Sequence, residues 1–251
     1  MEIDLTNKTA LVTGAAGQLG RVMARTLASC GAKVFVHYLK NKAGADTVVR
    51  EIRSGGGEAR AVQGDITDRE SMEALRRDIR EEVGDPDIVV NNAVSQYTWT
   101  SILEQDLDDF EDQFKSVIMQ NVLSVKLFLP GMIAKGSGRF IGINTECSYL
   151  CNANSGAYAQ AKRGLDGLYR VLAKEAGPHN ITVNQVAPGW TISDKDRENH
   201  TEIAPEYTKN VPLGRRGTDQ EIANAVAFLA SDLASFITGV CIPVCGGTVM
   251  V

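Results

Sequence analysis

An α/β fold, with a doubly wound parallel sheet between two helical layers, is predicted by three features of the 251-residue sequence. Short apolar runs alternate with amphipathic stretches, a glycine-rich turn follows the first run, and the 43% hydrophobic content suffices for one buried core. Alternation of this kind gives parallel strands joined by right-handed crossovers, covered on both faces.

Each element follows in order. KTALVTG (8–14) reads as a strand, and the glycines after it open an amphipathic helix over 18–30 that Gly31 ends. AKVFVHY (32–38) is the second strand and KNKAGADTVVREIRS the second helix, stopped by Gly55, Gly56 and Gly57. EARAVQ, a helix capped by Asp68, the strand PDIVVNNA and a long helix over about 107–134 continue the series. RFIGINT, a helix over about 157–176 and NITVNQVA complete it up to Pro188.

The alternation breaks once. PGWTISDKDRENHTEIAPEYTKNVP is charged and without apolar periodicity, so the segment over about 188–213 is expected to be a lid inserted within a single domain spanning 1–251. Beyond it, TDQEIANAVAFLAS carries the signature of a capped helix and SFITGVCIPV that of a closing strand.

Composition removes several functions. A net charge of −5 with no basic block gives no footprint for nucleic acid. No apolar run looks long enough for a membrane span and no leader pattern opens the chain, so a cytoplasmic protein is expected. The five cysteines lack histidines at zinc-binding spacing, so free thiols and no metal are expected.

The turn TGAAGQLG (13–20) lies where backbone N–H groups and a helix N-terminus receive a dinucleotide pyrophosphate, with Gly14, Gly17 and Gly20 permitting close approach. By itself such a turn is a weak signal. Asp65, suited to an adenine edge, and Asn91–Ala93 at the end of the fourth strand point to the same crevice. No acid ends the second strand; His37, Tyr38, Leu39 and Lys40 stand there, and Lys40 with Lys42 suits a 2′-phosphate, so NADP(H) is expected over NAD(H).

Tyr158 and Lys162 are four residues apart at the start of a helix, so both leave one face. A phenol titrates near pH ~10, and a neighbouring ammonium stabilises its anion, which equips the pair for proton transfer. Thr145, at the end of the preceding strand, offers a hydroxyl to the same oxygen.

As a set, in this order, the glycine turn, Asp65, Asn91–Ala93, Asn121, Thr145, Tyr158 with Lys162, Pro188–Gly189 and the PLGR…ITG…GG tail resemble the single-domain short-chain dehydrogenase/reductases, notably bacterial 3-oxoacyl-carrier-protein-reductase-like members. The resemblance runs from about residue 8 to 247 and implies a Rossmann-like three-layer fold. It also implies a tetrad of Asn121, Thr145 in the usual serine place, Tyr158 and Lys162, with Asn121 bending its helix and keeping a water in the proton path to Lys162. Cofactor contacts are implied for Gly14, Gly17, Gln18, Leu19 and Gly20, for Tyr38 and Lys40, and for Asp65 and Ile66. Asn92, Ala93, Tyr158, Lys162, Pro188, Gly189 and Thr191 complete that set. A small carbonyl or alcohol substrate and a homotetramer are implied as well.

The sequence departs from the family pattern at Gln18, Val94, Thr145 and Cys245, and His179 and Asn180 replace the basic residue expected beside a carrier protein. The first two motivate a rival reading, a nucleotide-binding regulator without catalysis; a carrier-protein reductase proper is a further alternative. Substrate-facing candidates are Gln96, Tyr97, Trp99, Glu146, Tyr149 and Asn152. On the lid, Trp190, Asp194, Lys195, Arg197, His200 and Tyr207 mix aromatic rings with both signs of charge.

Overall fold

The structure is a computed structural model and describes residues 2–251. Seven strands, β1 (Thr9–Val12), β2 (Lys33–Tyr38), β3 (Glu58–Gln63), β4 (Ile88–Asn91), β5 (Gly138–Ile143), β6 (Ile181–Pro188) and β7 (Cys241–Val244), form one sheet in the order β3-β2-β1-β4-β5-β6-β7. Every neighbouring pair is parallel. The chain starts mid-sheet, runs outward to β3 and returns to β4, which opens a crevice beyond the carboxyl ends of β1 and β4.

Side-chain alternation divides the core in two. Val34 and Val36 of β2 face a layer of α1 (Gln18–Ser29), α2 (Lys42–Ser54) and α10 (Asp219–Ala230). Phe35 faces the opposite layer, built from α3 (Arg69–Val83), α5 (Gln120–Lys135) and α7 (Gly156–Ala176). Helices α3 and α10 begin at side-chain caps: Asp68 accepts the Ser71 N–H at 2.7 Å at the start of α3, and Thr218 with Glu221 forms a reciprocal capping box before α10.

The long helix expected over 107–134 is continuous but not uniform. α4 (Leu107–Gln113) passes through a π-helical turn over Phe114–Met119 into α5, and Asn121 Nδ2 donates to the Val117 carbonyl at 2.6 Å just after the turn. The π-helical turn interrupts the α-helical ladder just before Asn121, where the bend is expected. The stretch Leu107–Lys135 is long and apolar enough by composition to cross a membrane, which corrects the expectation that no run approaches that length. In this fold it covers the sheet, with Val117, Leu127, Phe128 and Met132 buried.

Two other expectations change. The closing strand is Cys241–Val244 rather than a run from Ser235, because Gly239 turns with φ +78° and Thr238 meets β6 through its hydroxyl, which accepts the Val183 N–H at 3.0 Å. The lid is structured: it holds α8 (Asp194–Asn199), opened by a Ser193/Asp196 capping box, and α9 (Pro205–Thr208). An additional short helix, α6 (Cys147–Leu150), lies between β5 and α7. All five cysteines are free thiols.

The lid is organised from below by Arg216, whose side chain is 0% exposed. Its guanidinium donates to Asp196 at 2.7 Å, to the Thr191 carbonyl at 2.9 Å and to the Thr201 carbonyl at 3.1 Å, and lies 4.1 Å from the Trp190 ring centroid. Arg197 forks onto Asp219 at 3.0 and 3.1 Å, tying α8 to α10. The lid is therefore pinned by paired, planar guanidinium contacts rather than by an apolar core.

Candidate active site

The crevice holds a groove of about 640 Å³, bounded by the β1–α1 turn and by the segments that follow β3 and β4. Gly14, Gly17, Gln18, Leu19 and Gly20 form its floor, with Asp65 and Ile66 on one side and Asn92 and Ala93 on the other. Gly14 takes φ +64°, and a Cβ on Gly20 would lie 2.3 Å from the Gly14 carbonyl oxygen, so the turn is too compact for side chains there. No side chain caps α1 at Gly17 and no acid sits in its first turn, which leaves N–H donors open toward the groove. These features fit a dinucleotide pyrophosphate.

Two residues whose importance the sequence left open hold this groove in shape. Thr13 Oγ1 accepts the N–H groups of Asn92 and Ala93 at 2.9 and 3.0 Å, clamping the ends of β1 and β4 together. His37 accepts the Gly14 N–H on Nδ1 at 3.0 Å, and its Nε2 lies 3.0 Å from the Gly64 carbonyl. Burial lowers the imidazole pKa, consistent with a neutral ring that accepts at Nδ1 and donates at Nε2.

At the end of β2 the side chains alternate, so His37 and Leu39 line the groove while Tyr38 packs into the α1–α2 layer. Lys40, next in the chain after Leu39, is exposed and, among the described residues, makes no ion pair; Lys42 is engaged by Asp46 at 2.6 Å. Asp65 uses Oδ1 on the N–H and hydroxyl of Thr67, at 2.9 and 2.7 Å.

A second chamber of about 600 Å³ has Thr145 and Tyr158 in its wall. Tyr158 sits in the first turn of α7 and Lys162 one turn later, with Lys162 Nζ 5.6 Å from the Tyr158 ring centroid. Lys162 is anchored by donating to the Ile143 carbonyl at 2.6 Å. Asn144, to which no sequence motif points, braces the Thr145 and Lys162 segments: its Nδ2 donates to the Lys162 carbonyl at 3.1 Å and its Oδ1 accepts the Thr145 N–H at 2.8 Å.

Burial holds the Tyr158 phenol well above its ordinary value, with the Thr145 hydroxyl pulling the other way. Burial also draws Lys162 down to about 8. A proton on Lys162 is thus held loosely, one helical turn from a phenol that keeps its own.

Asn121 lies beneath the chamber, buried. Its Oδ1 accepts the Tyr169 hydroxyl at 2.6 Å, and Tyr169 in turn accepts from Asn91 Nδ2 at 3.2 Å. Its side chain is committed to this network and to Val117, so the structure places it under the site rather than in direct contact with Lys162. Pro188 ends β6, and Gly189 is held bare because a Cβ would lie 2.7 Å from the Tyr207 hydroxyl and 3.0 Å from Cys245 Cα. Cys245 keeps the tail turn through its sulfur, which accepts the Val249 N–H at 3.3 Å.

The remaining wall is aromatic. Tyr97 stacks on Tyr158 with centroids 4.6 Å apart, and Trp190 meets Tyr207 edge to face at 5.4 Å. Of the other substrate-side candidates, Trp99, Glu146 and Asn152 line the chamber and Gln96 lines the groove, whereas Tyr149 packs under Arg163. Gln18 Nε2 donates to the Ile192 carbonyl at 2.8 Å and Arg21 pairs with Asp194, so the lid is fastened to the cofactor turn itself.

The family model described as enoyl-(acyl carrier protein) reductase matches residues 14–249. The 3-oxoacyl-[acyl-carrier-protein] reductase FabG of Salmonella typhimurium is 39% identical over 97% of this chain and 98% of its own length. That of Pseudomonas aeruginosa is 37% identical over 99% of this chain and 100% of its own length. Among solved structures, LugOII, a promiscuous reductase that catalyses keto-reduction at C1 during lugdunomycin biosynthesis, superposes with a TM-score of 0.90 at 31% identity, covering 98% of this chain and 99% of that one. With the parallel sheet, the glycine turn and the Thr145/Tyr158/Lys162 cluster in place, the chain belongs to the short-chain dehydrogenase/reductase family of oxidoreductases.

Proposed function

We propose that the protein is an NADP(H)-dependent reductase of carbonyl groups, and in reverse a dehydrogenase of secondary alcohols, with Tyr158 as its acid and base. The observation that carries this reading is the placement of Thr145 and Tyr158 together in the wall of one aromatic chamber, with Lys162 fixed behind them. When bound, the nicotinamide supplies or accepts the hydride at the carbonyl carbon. Tyr158 Oη gives its proton to the carbonyl oxygen, and the Thr145 hydroxyl donates a hydrogen bond to the same oxygen. Lys162, as ammonium, stabilises the phenolate that remains; Asn121 and Asn144 keep the helix bend and the strand end in position.

Loss of NADPH absorbance across a panel of ketones and aldehydes tests the reading. Cofactor binding with no turnover on any of them would instead support the regulatory alternative. The relatives' 3-oxoacyl thioesters belong in that panel as the narrower version of the same activity. Thr145→Ser is expected to keep kcat within about threefold, while Thr145→Ala lowers it by roughly a hundredfold, because only the first retains the hydroxyl.

Cofactor choice rests on the end of β2, where no acid stands and Lys40 is unpaired among the described residues. Lys40→Glu is expected to raise the NADPH KM about tenfold and to leave the NADH KM nearly unchanged. An equal effect on both cofactors would remove Lys40 from phosphate recognition. A homotetramer accords with the family and with the exposed Phe114, Met119, Val171 and Phe236.

A further inference from the structure

Glu146 is the one formal charge in the wall of the substrate chamber, among the described residues. It follows Thr145 directly and is 4% exposed. Its backbone N–H is fixed by the Pro188 carbonyl at 2.9 Å, and its Oε1 accepts the Tyr207 hydroxyl at 2.8 Å. Oε2 is buried and has no hydrogen-bond partner. A buried carboxylate oxygen without a donor is costly, so Glu146 is an under-satisfied acceptor group in the wall of this chamber.

Around it stand Tyr97, Trp99, Trp190 and Tyr207, whose ring faces and edges favour a flat or cyclic apolar body, and a cation more than an anion. The Arg216 guanidinium, which lies against Trp190, is already committed to Asp196, so it offers no counter-charge to an acidic substrate. Burial pushes the Glu146 carboxyl above its ordinary value, with the Tyr207 hydroxyl and the Trp190 N–H opposing it.

The geometry points to Glu146 as the substrate-selecting residue: its carboxyl group receives a hydroxyl or ammonium hydrogen of a cyclic ketone, and it turns away ketones bearing a carboxylate. This rests on the carbonyl-reductase reading and names the class of substrate for that site. Selection works as a difference, through a satisfied acceptor for one class and like-charge repulsion for the other.

The test uses cyclohexanones substituted opposite the carbonyl with methyl, hydroxyl, dimethylamino or carboxylate. Trp99 and Trp190 are the only tryptophans of the chain and both line this chamber, so intrinsic fluorescence reads binding there whether or not turnover follows. The wild-type protein is expected to bind the hydroxyl and protonated dimethylamino rings at least about tenfold more tightly than the methyl or carboxylate rings. Glu146→Leu brings all four within about threefold of one another. Glu146→Gln, nearly isosteric and uncharged, keeps the hydroxyl preference and loses that for the amine.

An unchanged rank order in both variants, or a wild-type preference for methyl or carboxylate, would overturn the assignment. NADPH consumption on the same rings separates the two claims. Selective binding without turnover sinks the reductase reading and leaves Glu146 as the selector; turnover with no substituent preference does the reverse.

Discussion

Tyr158→Phe is expected to lower kcat/KM for ketone reduction by roughly a thousandfold, within the range that general acids contribute, while leaving NADPH affinity within about twofold. The ring survives, so its stacking with Tyr97 and the start of α7 are preserved and only the proton is removed. Stopped-flow single turnovers with NADPH check it, because they isolate the chemical step from product release. Retention of full turnover would remove Tyr158 from the mechanism.

The neighbouring lysine adds a pH signature whose sign is fixed. Lys162 titrates near 8, below its ordinary 10.5. Reduction is therefore expected to be level below about pH 7 and to decline through pH 8 as the ammonium is lost. For stability the order is reversed: between about pH 8 and 10.5 the unfolded chain binds more protons at this position than the folded one, so folding strengthens as pH rises through that window. Lys162→Met removes that increment, as urea titrations at several pH values would show.

Arg216→Met carries the largest structural effect. The substitution leaves Asp196 and the carbonyls of Thr191 and Thr201 without their shared donor and strips the cation from Trp190. Loss of one partner of a buried ion pair costs about 3 kcal/mol or more. The cost falls on the lid, so amide exchange over 189–210 is expected to quicken by roughly a hundredfold with the sheet little changed. Because Trp190, Thr191 and Tyr207 wall the chamber, substrate KM rises with it. Slow lid exchange in the variant would show that Arg197 and Arg21 hold the lid without it.

The elements legible in the sequence are those whose cause is local. Strand–turn–helix at residues 9–29 is written in apolar periodicity and glycine spacing, and the helix start at Asp68 in a single cap. The Tyr158/Lys162 pair was readable because helical spacing alone places both on one face. Strand alternation turns His37 and Leu39 toward the groove and Tyr38 into the helical layer, a sidedness that the residue types at the end of β2 do not reveal. Hidden from the sequence were contacts joining residues distant along the chain, such as Gln18 with Ile192, Asn121 with Tyr169 and Tyr207 with Glu146. No periodicity encodes them. The closing strand was overextended because Phe236, Ile237 and Val240 look like strand residues although Gly239 turns the chain between them.

The pairing of α1 with α10 in one layer has a consequence for how the chain must be made. The helix that opens the fold finds its cover in one that begins at residue 219. A nascent chain carries the apolar side of α1 and the centre of the sheet without that cover until residues 219–230 have left the ribosome. Arg216, the anchor of the lid, arrives just before it. α1 is thus shielded well after it is made, and the lid anchor is synthesised in the same late stage as the helix that covers α1.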